Sequence, residues 1–225
     1  SEREQRLAKL ASALVHRFNN VLMGIQPHVE VIKRIGRDND RILGSVTQIE
    51  SALRRAKAVL NEVSRLAKPL VLDLRPLEVD PWFDSLRTSL QPFASAPVEL
   101  TFAAQPPHLM LSADREQLTQ AIVNLVTNAV ESMPNGGTVA VSAREAADGI
   151  ELEIADSGSG IAPEAIERVF EPMYTTKRNS AGLGLPIVRQ IVEAHGGTLH
   201  LESTPGVGTK VVVILPLPRA GEGGA

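Results

Sequence analysis

An all-α antiparallel helical hairpin that pairs into a dimeric four-helix bundle, followed by an α/β sandwich, is the fold that this 225-residue sequence predicts. Three observations predict it. From Glu2 to Leu66 apolar side chains recur at spacings of three and four, the period of a helix face. Pro69 and Pro76 end that pattern and mark a boundary. Beyond them, strand-like and helix-like segments mix without strict alternation, which suits one helical layer on one sheet. The domains expected are residues 1–67 (hairpin), 68–75 (linker) and 76–218 (second domain), with the tail RAGEGGA at 219–225 disordered.

The first helix carries Leu7, Leu10, Leu14, Phe18, Val21, Ile25, Val29 and Ile32 on one stripe, and the polar GRDND at 36–40 turns the chain. Ile42, Val46, Ile49, Leu53, Ala56, Leu60, Val63 and Leu66 form the stripe of the second helix. One hairpin cannot surround its own stripe, so pairing with a second copy is expected. Pro27, without an amide hydrogen, and Gly24 beside it predict a flexure in the first helix. In the second domain, helices are expected near 80–92, 114–132, 163–169 and 184–195. Strands are expected near 98–103, 108–111, 138–144, 150–155, 197–203 and 208–215.

Composition excludes several classes. A formal charge of -3 and a pI near 6.0 argue against general attraction to nucleic acid or an anionic membrane, so any phosphate must be caught by local geometry. With no cysteine, disulfides and thiolate metal sites are excluded, which fits a reducing compartment. The longest apolar run, VVVIL at 211–215, is far short of the ~20 residues of a membrane span. A cytoplasmic location is therefore expected, with any membrane attachment lying in upstream regions outside this chain.

Four stretches of the second domain carry chemistry. Asn124 and Asn128, four apart, share a helix face, where an amide oxygen suits a hard cation; the plainer reading is a solvated or capping pair. In IELEIADSGSGIAPE a strand runs into Asp156, Gly158 and Gly160. The glycines let backbone approach a flat ligand while the carboxylate accepts from it, or Asp156 simply closes a tight turn. VFEPMYTTK offers Lys177 to a phosphate and Phe170 as an anchor. In SAGLGLPIVRQIVEAHGG, Gly182, Leu183 and Gly184 lead into a helix whose free N–H groups attract anions.

The order NLVTNA, DSGSG, FEPMYTTK, GLGLPIV resembles the N, G1, F and G2 boxes of the ATP-binding domain of sensor histidine kinases, in the GHKL (Bergerat) superfamily. VHRFNN at 15–20 resembles the HxFNN form of their phosphoacceptor box. The resemblance implies an ATP-dependent protein-histidine kinase, a homodimer, that phosphorylates His16 and passes the phosphoryl group to a response-regulator receiver aspartate. It implies that Asn128, with Asn124, holds the Mg2+ that bridges the phosphates of ATP. Asp156 would accept from the adenine amino group, with Gly158 and Gly160 shaping the pocket. Gly182, Leu183 and Gly184 would present backbone to phosphate, with Lys177 adding charge. Only Arg178, Asn179, Ser180 and Ala181 separate TTK from GLGL, an unusually short lid.

His16 falls 160–200° around the helix from Leu14 and Phe18 and so points outward, as a nucleophile visited by another domain must. Asn20, on the same face, is expected to orient a water or an incoming acyl phosphate. Arg17 departs from the family, where Asp or Glu often follows the histidine as a base, a loss worth ~10²–10⁴-fold in other enzymes. Two alternatives stay open: a kinase-weakened phosphotransfer or scaffold module, and a GHKL ATPase of chaperone or mismatch-repair type.

Overall fold

The computed structural model describes residues 2–66, 70–92, 97–177 and 180–217, with residues 2–14 and 65 described by their backbone alone. It divides into two compact units, 1–69 and 70–225. The expected tail, the flanking Leu7, Leu10 and Leu14 side chains, and Arg178 and Asn179 of the lid lie outside the described residues.

The first unit is two helices, α1 (Glu2–Ile35) and α2 (Asp40–Leu66). The turn closes where the Gly36 N–H donates to the Ile32 carbonyl at 2.8 Å; a Cβ on Gly36 would collide with Ile42. Asn39 caps α2, its Oδ1 accepting from the N–H groups of Arg41 and Ile42 at 3.1 and 3.3 Å. Val15 and Val29 of α1 and Val46 of α2 are buried, and Lys33 pairs with Glu50 at 2.8 Å across the hairpin. The single stripe expected for α1 is in fact two. Val29 turns toward α2 together with Val15, whereas Phe18, Val21, Ile25 and Ile32 remain 56%, 59%, 39% and 45% exposed. The apolar arc is wider than one partner helix covers, so α2 takes one flank and the other faces outward. Pro27 lies inside α1 on an exposed face, and the helix continues without interruption through it and Gly24.

In the second unit, β1 (Arg75–Glu78) pairs antiparallel with β3 (Met110–Ala113), and α3 (Val79–Leu90) lies between them in sequence. The main sheet contains β2 (Val98–Gln105), β4 (Gly137–Ala146), β5 (Gly149–Asp156), β6 (Thr198–Thr204) and β7 (Gly208–Leu215), in the order β2-β4-β5-β7-β6. β2 runs parallel to β4 and every other pairing is antiparallel, so the sheet is mixed. Against the single sheet expected, the segment near 110 pairs away from it with β1, a strand that was not expected and that begins at the last residue of the expected linker; Pro76 suits this short edge pairing.

Helices α4 (Arg115–Glu131), α5 (Pro163–Ile166) and α6 (Gly184–Ala194) complete the unit. Leu118, Ile122, Leu125 and Val126 of α4 and Ile187, Val188, Ile191 and Val192 of α6 are buried. So are the alternating residues Val139, Val141 and Ala143, Ile150, Leu152 and Ile154, and Val211, Val213 and Leu215 of three adjacent strands. A residue at the end of β5 is thereby fixed between β4 and β7, with α4 and α6 contributing to the same core. At the C-terminal end of α6, His195 is buried with both ring nitrogens engaged: Nε2 accepts from the Asp114 N–H at 3.0 Å and Nδ1 lies 2.7 Å from the Ile191 carbonyl.

Candidate functional site

Asp156 ends β5, with Val139 of β4 as one cross-strand neighbour and Thr209 of β7 as the other. Its Oδ1 accepts from the N–H of Gly158 at 2.8 Å, the N–H of Thr209 at 3.3 Å and the hydroxyl of Ser132 at 3.4 Å. Oδ2 has no hydrogen bond among the described residues. The carboxylate is thus clamped by one oxygen and offers the other. Burial pushes its pKa up; the bonds from Gly158, Thr209 and Ser132 and the charge of Lys177 pull it back only in part.

The glycines around it are demanded by close approach. A Cβ on Gly158 would collide with Ser132 Oγ, and Gly160 adopts φ +68 where a side chain would strike the Thr204 carbonyl. Gly136 and Gly137 also hold positive φ, at the turn leading into β4. The result is closely packed backbone beside one free carboxylate oxygen, an acceptor that an exocyclic amine fits.

On α4 the two asparagines separate in role. Asn124 is consumed: its Oδ1 accepts from Gln120 at 2.9 Å and its Nδ2 donates to the Gly184 carbonyl at 3.4 Å, tying α4 to the start of α6. The side-chain amide of Asn128 makes no hydrogen bond among the described residues and faces Gly184, where a Cβ would stand 3.6 Å from its Nδ2. Leu183 is buried and N-caps α6 without a side-chain hydrogen bond, and Pro186 has no N–H. Among the described residues the N–H groups of Gly184 and Leu185 make no hydrogen bond, as is usual for the first turn of a helix. Gly182, at φ +67, passes under Tyr174, and its carbonyl accepts from the Met173 N–H at 3.0 Å.

Lys177 lies beside these groups but is not free. Its Nζ pairs with Glu131 at 2.7 Å and donates to the Asn128 carbonyl at 3.4 Å. Phe170 sits under the Arg189 guanidinium at 4.2 Å and Tyr174 under Arg168 at 4.3 Å, which brace the two ends of the FEPMY segment. The sequence reading missed Ser132 and Thr209, which hold Asp156, and Glu131, which holds Lys177. Ser132 immediately follows the last turn of α4 and Thr209 opens β7, so their spacing from Asp156 carries no local signal.

In the hairpin, His16 is exposed, and so are Arg17 and Asn20. The Asn20 amide nitrogen lies 3.4 Å from His16 Nδ1, while Nε2 makes no hydrogen bond among the described residues.

Residues 113–219 match the family described as histidine kinase-, DNA gyrase B- and HSP90-like ATPase. The sensor histidine kinase ZraS of Klebsiella oxytoca is 33% identical over 214 residues, covering 94% of this chain and 46% of that protein. This chain therefore spans about half the length of the curated relatives it matches. Among solved structures, full-length ShkA in complex with AMPPNP superposes with a TM-score of 0.79 at 25% identity, over 92% of this chain and 45% of that one. The mycobacterial sensor histidine kinase MprB gives 0.57 at 29% identity, over 64% of this chain and 97% of that one.

Proposed function

We propose that this chain is a histidine kinase catalytic core of the GHKL class, and that it transfers the γ-phosphoryl group of ATP to His16 and then to a receiver-domain aspartate of a response regulator. The observation that carries the reading is an exposed His16, with no hydrogen bond to Nε2 among the described residues, in the same chain as an Asp156 held by one oxygen and open at the other. Asp156 binds and orients the adenine amine. The unengaged Asn128 amide, with waters and phosphate oxygens, suits Mg2+, which supplies charge neutralisation when bound. The Gly184 and Leu185 amides hold phosphate at the start of α6. Incubation with γ-labelled ATP and Mg2+ should leave the chain with label that is stable in base and lost in acid. Acid-stable label, or none, would turn the reading toward a hydroxyl acceptor or a scaffold.

The homodimer is part of the proposal, and the uncovered stripe Phe18, Val21, Ile25, Ile32 supports it. With Ile42, Ile49 and Val59 of α2 also exposed, the hairpin presents a second apolar flank that a copy of itself would cover as a four-helix bundle. Light scattering should give twice the 24.1 kDa chain mass at micromolar concentration, and Phe18→Glu with Ile25→Glu should give the single-chain mass. A monomeric wild type would refute the bundle.

One observation favours a slower enzyme. Arg17 is exposed beside His16, and among the described residues no carboxylate bonds the ring. Arg17→Asp should therefore raise the initial labelling rate by up to about 10²-fold, since general bases contribute ~10²–10⁴-fold and an unadapted site returns part of that. A slower Arg17→Asp chain would give Arg17 a role of its own.

A further inference from the structure

We infer that Glu131 is a positioning residue that presents Lys177 to the phosphates of the nucleotide, a role that rests on the ATP-binding reading above. An acid at position 131 is out of place twice over. It is the last residue of α4, at the helix end whose carbonyls favour cations, and it follows Asn128 by one turn, beside a site read as taking a polyphosphate. No basic residue of α4 itself stands in its last turn. The cation comes from another segment: Lys177 Nζ pairs with Glu131 Oε2 at 2.7 Å and donates to the Asn128 carbonyl at 3.4 Å.

The segment that carries Lys177 is fastened at two places. The Met173 N–H donates to the Gly182 carbonyl at 3.0 Å, which ties it to the loop before α6, and the Lys177 ammonium ties it to α4. Between them Thr175 Oγ1 accepts from the Lys177 N–H at 3.1 Å and turns the backbone. A lysine ammonium is a flexible point charge with three donors. Glu131 and the Asn128 carbonyl engage two and leave the third for a phosphate oxygen, close to the Asn128 amide that suits Mg2+. The charge of Lys177 is also felt at Asp156, whose pKa it lowers in part, so the ammonium stands close to the candidate site. The two side chains are 37% and 56% exposed, a setting in which an ion pair adds little stability; its worth lies in where it puts the charge. Two accounts of Glu131 therefore differ in sign. As a bare acid near phosphates it would repel them, and Glu131→Gln would tighten ATP. As the holder of Lys177 it spares the ligand the cost of ordering a long side chain, and the same substitution weakens ATP.

The test is a double-mutant cycle on the full 225-residue chain, with the dissociation constant of ATP in Mg2+ read by calorimetric titration. Lys177→Met should weaken ATP about 10-fold or more, as loss of a charged hydrogen bond does. Glu131→Gln should weaken it about 5-fold, the upper end for an exposed pair, and Glu131→Asp by less. In the Lys177→Met background Glu131→Gln should cost nothing or tighten ATP, since only the repulsion is then removed. Glutamine suits an exposed helical position as well as glutamate, so folding is not at stake. In the nucleotide-free chain, acetylation of Lys177 followed by mass spectrometry should run faster in Glu131→Gln than in wild type. Tighter or unchanged ATP in Glu131→Gln alone, or an equal loss with and without Lys177, overturns the inference while the ATP-binding reading stands. A wild type that binds no ATP overturns that reading and the inference with it.

Discussion

The His16→Gln chain is expected to incorporate no acid-labile label from Mg2+ and ATP, a loss of about 10³-fold or more, while binding nucleotide as wild type does. Glutamine suits a helix interior better than histidine and removes both ring nitrogens, so the effect falls on the chemistry. The other four histidines are poor substitutes. His195 is buried with both nitrogens engaged. His108 bonds Glu78 at 2.7 Å, and that bond and charge push its pKa up, favouring the protonated ring that cannot attack. His28 sits three residues from Ile25 and four from Ile32, at the flank that a second copy would cover. His200 lies on β6 in the second unit, within a strand pairing rather than on a helix surface. Label persisting in His16→Gln would remove His16 from the mechanism and send the search to these positions.

How far the sequence carries can be seen at particular residues. Helix periodicity placed α1, α2, α4 and α6 because each buries a long enough face for the spacing to repeat. It did not show that the arc on α1 divides, with Val15 and Val29 inside and Phe18 and Ile25 outside, because three- and four-residue spacings fit either flank. β1 was unreadable because four residues containing Pro76 have no pattern of their own and exist as a strand only by pairing with β3. In the candidate site, Asp156 and the glycines were legible because they are adjacent in sequence. Ser132 and Thr209 converge on Asp156 from 24 and 53 residues away, distances at which local pattern is silent. The asparagines show the reverse limit: equal spacing on one helix face gave Asn124 and Asn128 the same expectation, and the Gly184 carbonyl and Gln120 engage one of them.

Asp156→Asn is expected to weaken ATP binding by about 100-fold and yet leave the nucleotide-free chain at least as stable as wild type near neutral pH. The affinity follows from geometry. Oδ1 of asparagine can keep the bonds from Gly158, Thr209 and Ser132, while Nδ2 replaces the open oxygen and sets a donor against the adenine amine. Losing a hydrogen bond to a charged acceptor costs ~1.5–3 kcal/mol, and the opposed donors add to it, which gives that factor. The stability follows from the raised pKa. Between the ordinary carboxylate range and the raised value, the folded chain binds more protons than the unfolded one, so stability falls as pH climbs through that window. Above it, the ionised, partly buried carboxylate is held at a cost that neutral asparagine does not carry. Thermal melts at several pH values should show the variant's advantage shrinking as the solution is acidified through the window. Calorimetric titration with ATP reads the affinity. Unchanged ATP affinity would sink the assignment of Asp156 to the adenine, and a variant that melts well below wild type at neutral pH would make Asp156 a structural aspartate instead.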